Sequence, residues 1–373
     1  METKKKILFI TNKCPPYRLP VFNELSKKLN IKFVFTHENK IIKELRANYT
    51  LLKGIGFKKF KIHPGIIKII KKEKPTKVVL LPPDPLHLID NLILYQYCKR
   101  NKTPYAIPVG RWEYKNVPLK QKLTEPFYKP ILKNAEKLIV YGSKSEEWAI
   151  NRKIPKSKIV KAYNINPEIY KNFKEKKKKL LELKNKKVVL YAGRLIKRKG
   201  IDYLIKAFSK VKDKEAVLVL VGGGDFYKLG AKSEEAKLKK LVRSLGIEKK
   251  VIFTGEVPSE KTSQYYQSAD LFVLPSITLD VGEAWGHVVE EAMSFGLPVI
   301  TTDAVGAAYD LVKEGKNGFV VKENNISELK EAIKKIVSNK RLREKMGKES
   351  LKIIKQKKFS FDEIINNWVK ALS

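Results

Sequence analysis

Two α/β domains in tandem, each a mainly parallel sheet wrapped by helices, are what this 373-residue chain predicts. Three observations carry that expectation. The length suits two domains of about 100–200 residues each. Short apolar runs alternate with helix-length amphipathic stretches, the pattern of repeated βαβ units. That alternation breaks once, at a lysine-dense stretch near the middle, and then restarts.

Taken in order, KILFIT (6–11) reads as a strand and YRLPVFNELSKKL (17–29) as a helix. IKFVFT (31–36) and FKKFKI (57–62) follow as strands, then a basic helix around 64–74. KVVLLP (77–82), a helix near 86–99, YAIPVG (105–110), a helix around 118–134, KLIVYG (137–142) and KIVKAYN (158–164) complete the first half. KNFKEKKKKLLELKNKK (171–187) reads as a charged helix or linker. The strand pattern resumes with VVLYAG (188–193), AVLVLVGGG (216–224), VIFTG (251–255), LFVLPS (271–276), PVITT (298–302) and NGFVV (317–321). Helices fall after Lys199, at 230–245, 326–338 and 340–356, and SFDEIINNWVKAL (360–372) is amphipathic. The expected organisation is a first domain over 1–166, a linker over 167–187 and a second domain over 188–357. Neither first strand is followed by GxGxxG, so the dinucleotide fingerprint is absent. Sheets of this kind bind ligands at the carboxyl ends of their strands. With two such domains face to face, the cleft between them is the expected site.

Lysine and arginine total 78 against 39 acidic residues, a net charge of +39. Residues 1–180 hold 42 basic and 14 acidic residues, and residues 181–373 hold 36 and 25. Such a charge attracts nucleic acid, anionic lipid or a polyanionic substrate. Solvation of a heat-adapted surface accounts for much lysine equally well. Two cysteines, Cys14 and Cys98, are too few for a disulfide framework or a zinc cluster. No run reaches the ~18 apolar residues of a membrane span. METKKKILFIT moves directly into a strand with no signal-peptide cleavage pattern. The expectation is an intracellular protein with at most peripheral membrane contact.

Four stretches of the second half carry chemistry. In AGRLIKRKG (192–200), Arg194 follows a strand end and Lys199 precedes Gly200 at a helix start. A guanidinium fork and an ammonium point charge there suit a diphosphate. VGGGD (221–225), with Gly223 at its centre, lets backbone amides approach an anion, or is simply a tight loop. QSADLFVLPS (267–276) reads as a core strand that fixes register. In GEAWGHVVEEAMSFGLPVITT (282–302), Gly286 turns the chain into a helix whose first amides, from His287, can meet phosphate or a sugar edge. Glu283 and Glu291 lie eight residues apart. A carboxylate at either place accepts two hydrogen bonds from a diol. Glu290 reads as solvent-exposed.

Glu283-x7-Glu291 followed by Ala-Met-x-x-Gly-Leu-Pro-Val resembles the signature of the retaining GT-B glycosyltransferases of family 4, the group 1 glycosyl transferases. Gly193-Arg194-Leu195 with Lys199-Gly200, the Gly222–Gly224 loop, and Ala269-Asp270 ahead of Pro275-Ser276 fall at that family's spacing. The resemblance covers most of 188–302. It implies a GT-B fold, two Rossmann-like domains facing each other across a cleft. It also implies a nucleotide-sugar donor, with UDP favoured over GDP, and no catalytic metal or other cofactor. Arg194 and Lys199 would neutralise the departing diphosphate. Glu283, with the amides near Gly286 and His287, would orient the donor sugar. Glu291 would hold the ribose hydroxyls, and Val257 would flank the base. The terminal helix (358–373) would return to the first domain. Two departures stand out. Pro15-Pro16-Tyr17-Arg18 lacks the paired glycines of the family's first loop, and 107–113 lacks its histidine. Arg111 or Glu113 would stand in there, with Arg111 contacting donor phosphate or an anionic acceptor, unless it only makes a salt bridge.

In this family the first domain receives the acceptor, and here it carries most of the positive charge. FKKFKIHPGIIKIIKKEKP (57–75) interleaves lysine with isoleucine in a pattern suited to an interfacial helix, unless its isoleucines face the sheet. The acceptor expected is a glycan or lipid-linked saccharide, with an anionic membrane as partner. The competing readings are a GT-B epimerase and a nucleic-acid-binding protein resting on charge alone.

Overall fold

The computed structural model describes residues 5–57, 60–113, 117–165, 180–223, 232–279 and 282–373. The chain separates into two compact units. One takes in the chain up to Glu113, the stretch that begins at Val117 and the C-terminal Lys357–Ser373. The other ends at Gln356.

The N-terminal unit is built on a seven-stranded sheet. Its strands are β1 (Lys6–Thr11), β2 (Asn30–Phe35), β3 (Tyr49–Leu51), β6 (Lys77–Val79), β7 (Tyr105–Val109), β8 (Lys137–Val140) and β9 (Ile159–Lys161). Every pairing is parallel, in the order β3-β2-β1-β6-β7-β8-β9. A hairpin of β4 (Ile55–Phe57) and β5 (Phe60–Ile62) stands outside this sheet. The single strand expected at 57–62 is therefore the second arm of a short antiparallel pair. On one face pack α2 (Gly65–Glu73), α3 (Leu88–Arg100), α4 (Leu119–Asn134) and α5 (Ser143–Asn151), whose apolar residues share one core with the strands. On the other lie α1 (Leu19–Lys28) and the terminal helix α13 (Phe361–Leu372). The Trp368 ring sits 5.7 Å from Phe9, which also meets Phe22 and Phe33. Both ends of the chain thus close the same core.

Helix α2 follows the second of its two readings, with its isoleucines on the sheet. Ile66 and Ile70 of the basic helix are buried against the sheet and Ile69 packs against the same core, leaving Ile67 exposed. A helix that spends its isoleucines on the core has little left for a lipid surface.

The C-terminal unit repeats the architecture with β10 (Lys187–Ala192), β11 (Ala216–Val221), β12 (Val251–Gly255), β13 (Leu271–Leu274), β14 (Val299–Thr302) and β15 (Gly318–Val321). They pair parallel in the order β12-β11-β10-β13-β14-β15. Numbered within the unit this is 3-2-1-4-5-6, the doubly wound order whose direction reverses between β10 and β13. Every residue of β11 is buried, as strands covered on both faces require. Helices α6 (Ile201–Phe208), α7 (Lys232–Ser244), α8 (Ser259–Ser268), α9 (His287–Ser294), α10 (Ala308–Leu311), α11 (Ile326–Val337) and α12 (Lys340–Ile354) complete it. The lysine-dense stretch read as a charged helix or linker lies mostly outside the described residues, as do Gly224 and Asp225 of the glycine-rich loop.

Candidate active site

The predicted site residues of the C-terminal unit collect at the carboxyl edge of its sheet, around the reversal between β10 and β13. Three adjacent strand ends are tied to one another through backbone. Gly193 N–H donates to the Val221 carbonyl, Leu195 N–H to Gly223, and Gly222 N–H to Gly255, at 2.8–3.0 Å. Arg194, Gly223 and the half-buried Val257 are carried on these linked loops. Arg194 is exposed, and its carbonyl accepts a bond from the buried Tyr191 hydroxyl at 2.7 Å.

Gly200 is what lets the next loop descend onto β13. Its φ is +64°, and a Cβ there would lie 2.0 Å from the Pro275 carbonyl oxygen, so no larger residue fits. The Ile277 N–H donates to the Arg198 carbonyl at 2.9 Å and locks the two loops together. Lys199 is thereby buried at the strand end, facing the segment after β13.

That segment carries Glu283. Its backbone is fixed by bonds from Glu283 N–H to the Ala304 carbonyl and from Gly306 N–H to the Glu283 carbonyl, both 2.8 Å. Its Oε2 accepts from Lys199 Nζ at 2.6 Å and from Arg198 Nη1 at 2.9 Å. Burial alone would raise the carboxyl pKa. The Lys199 and Arg198 cations outweigh that effect and hold it below the ordinary glutamate value. Burial pushes the Lys199 ammonium down, against the pull of Glu283, while Arg198 and Arg194 repel it further. A cation already disfavoured in this way has most to gain from an arriving anion. Arg198 was not singled out in the sequence, where it is one of three consecutive basic residues, Lys197-Arg198-Lys199.

Gly286, with φ of +97°, starts α9 and places Glu283 beside the helix entrance. A Cβ at Gly286 would meet the Glu283 side chain at 3.4 Å. Glu291, on α9, accepts from the Tyr266 hydroxyl at 2.8 Å. Burial raises its carboxyl, with the neighbouring Glu290 adding to the effect and Tyr266 opposing it. Glu283 is thus held by Lys199 and Arg198, and Glu291 by Tyr266.

Glu290 overturns the expectation of solvent exposure. It is 1% exposed, and its two oxygens accept from the Trp285 indole at 2.9 Å and meet His287 Nδ1 at 3.2 Å. A carboxylate is tolerated there because two donors replace its water. Only the spacing of Trp285, His287 and Glu290 could have signalled this, and i to i+3 places the last two on one helix face.

Arg111 belongs to the N-terminal unit, just beyond β7, half-buried with one Nη2 buried and lacking a hydrogen-bond partner. Glu113, the other residue considered there, pairs with Arg152 at 2.6 Å. Among the described residues no group of three or more His, Cys, Asp or Glu is arranged to hold a metal ion.

Residues 172–352 match the family described as glycosyl transferases group 1. An uncharacterized glycosyltransferase of Haemophilus influenzae is 31% identical over 232 residues, 62% of this chain and 59% of its own length. Another from Methanocaldococcus jannaschii is 30% identical over 252 residues, 65% of this chain and 61% of its own. The chain thus spans about three-fifths of the curated relatives it matches. The crystal structure of Anabaena Alr3699/HepE in complex with UDP superimposes with a TM-score of 0.77 at 17% identity, covering 98% of both chains. The fold is the GT-B fold, and the chain is related to the group 1 glycosyl transferases.

Proposed function

We propose that this protein is a retaining glycosyltransferase that moves a sugar from a nucleoside-diphosphate donor, UDP-linked in preference to GDP-linked, onto a hydroxyl of a glycan or lipid-linked saccharide. The observation that carries the reading is the buried Lys199–Glu283–Arg198 cluster at the sheet's reversal point, beside the entrance of α9. Ligands of doubly wound sheets gather at that point. The relationship to glycosyltransferases over 172–352 supports the same reading, and the UDP held by the structurally similar Anabaena protein favours UDP.

In this reading the bond between the sugar's anomeric carbon and the diphosphate oxygen breaks. A bond from the acceptor oxygen forms on the same face, and the acceptor's proton passes to the departing phosphate. Lys199 and Arg194 offset the charge that develops on the diphosphate, a task that needs no metal. Arg198 belongs with them, since it shares Glu283 with Lys199. Both cations bond Glu283 through Oε2, which leaves Oε1 to accept from a sugar hydroxyl, with the Gly286 and His287 amides completing its orientation. Glu291 takes the ribose hydroxyls, Gly223 lets backbone approach the nucleotide, and Val257 flanks the base. Arg111 serves an anionic group on donor or acceptor, its buried Nη2 being the supporting observation.

A panel of nucleotide sugars in a thermal-shift assay, followed by product analysis with and without saccharide acceptors, tests the proposal. A donor that binds only the folded state raises the midpoint. Acceptor-dependent release of nucleoside diphosphate is the expected second result. A donor converted to its epimer without acceptor would instead favour an epimerase. Absence of any nucleotide-sugar shift, alongside salt-sensitive DNA retention, would favour the nucleic-acid reading.

A further inference from the structure

We propose that the outward face of α4 is a membrane-docking surface that seats the N-terminal unit on an anionic lipid headgroup layer. The inference rests on α4 alone and is independent of the transfer chemistry. The helix buries Gln121, Tyr128, Ile131 and Leu132 on its inner side. Leu119, Leu123 and Phe127, at i, i+4 and i+8, are 71%, 64% and 53% exposed on the other. At about 100° per residue these three fall on one stripe with Pro126 and Pro130, which are also exposed. The same rotation puts Lys122, Lys129 and Lys133 along one edge of the stripe and Lys120 along the other, all of them exposed.

A single exposed leucine needs no explanation. A whole helix face of large apolar residues does, and rows of lysine at its edges specify the occupant. Apolar side chains entering the acyl boundary while lysines meet lipid phosphates is how an interfacial helix binds. The surplus of basic residues in the N-terminal unit, 38 against 15 acidic, complements an anionic surface. A second copy of the chain is a poorer occupant, because a two-fold contact would oppose lysine to lysine. Nucleic acid is poorer still, since its phosphates leave leucine and phenylalanine without a partner.

The test uses the full chain in flotation with vesicles of phosphatidylcholine, alone or mixed with phosphatidylglycerol. Two variants accompany it: Leu119→Gln/Leu123→Gln/Phe127→Gln, and Lys120→Gln/Lys122→Gln/Lys129→Gln/Lys133→Gln. The wild type is expected to float with the mixed vesicles and much less with pure phosphatidylcholine. The apolar triple variant should bind about tenfold more weakly at every salt concentration. The lysine variant should lose about tenfold on mixed vesicles and lose the lipid preference. Because all seven side chains are exposed, neither variant should melt below the wild type, which separates lost docking from lost folding. Wild type that stays unbound on mixed vesicles at low salt overturns the proposal. So does undiminished binding by both variants, or a wild-type dimer that the triple variant turns monomeric.

Discussion

Glu290 and Glu291 are adjacent, both shielded, and held in opposite ways. Glu290 has the Trp285 indole N–H and His287 around it, so Glu290→Leu leaves those groups unsatisfied inside the protein. The expected cost is about 1–3 kcal/mol, read as a lower denaturant midpoint, with Glu290→Gln recovering part of it. Glu291 has one hydroxyl donor, and burial raises its pKa above the unfolded value. Between those two values the folded state holds the extra proton, so stability falls as pH rises through that window. Glu291→Gln is therefore expected to raise the midpoint at neutral pH and flatten its dependence on pH from the glutamate range upward, while weakening nucleotide binding. A melting series across pH checks the first effect and titration with nucleotide the second. Lys199 answers to a different measurement. Lys199→Met leaves Arg198 on Glu283 but removes the buried cation. Turnover should drop by about 10²–10³ with the fold retained, since preorganised charge at a leaving group is worth that much.

At the scale of elements, α13 is the piece whose removal the sheet would feel most. Trp368 is buried against Phe9 of the interior strand β1, and Ile364 and Ile365 are buried on the same helix. Trp368→Ala should destabilise the N-terminal unit by about 3–5 kcal/mol, measured by urea unfolding. This helix was readable in the sequence from its period, as were the strand cores from KILFIT to PVITT. Continuous apolar runs are what buried parallel strands look like. β3 and β4 escaped because YTL and IGF are too short to carry a period, and the equally short β6 is legible only because its KVV opens the longer apolar run KVVLLP. α5 and α8 were passed over because SKSEEWAIN and SEKTSQYYQS are mostly polar, their pattern set by tertiary contacts. The site shows the same division. Glu283, Glu291 and Lys199 stood out by spacing. Arg198, Tyr266 and the burial of Glu290 depend on which loop is pinned to which strand, and backbone bonds such as Ile277 to Arg198 decide that.

Over the whole molecule the net charge of +39 is a standing repulsion within each unit, and it is not shared evenly. The N-terminal unit holds 38 basic and 15 acidic residues, an excess of 23, and the other unit 40 and 24, an excess of 16. Fixed like charges destabilise a compact state through self-repulsion, and salt relieves it as the screening length falls from ~30 Å at 0.01 M to ~8 Å at 0.15 M. Both units should therefore gain stability with added sodium chloride, the N-terminal one more. The tryptophans make the difference measurable. Trp112, Trp148 and Trp368 lie in the N-terminal unit, and only Trp285 lies in the other. Intrinsic fluorescence thus follows chiefly the N-terminal unit, whereas calorimetry registers both. Between 0.01 and 0.15 M salt the fluorescence midpoint should climb by a few degrees, corresponding to about 1 kcal/mol. The calorimetric transition that fluorescence does not track should climb less. Equal shifts in the two signals would mean that ion pairs such as Lys32–Glu73 and Lys6–Glu73 already neutralise the N-terminal surplus where it matters for folding.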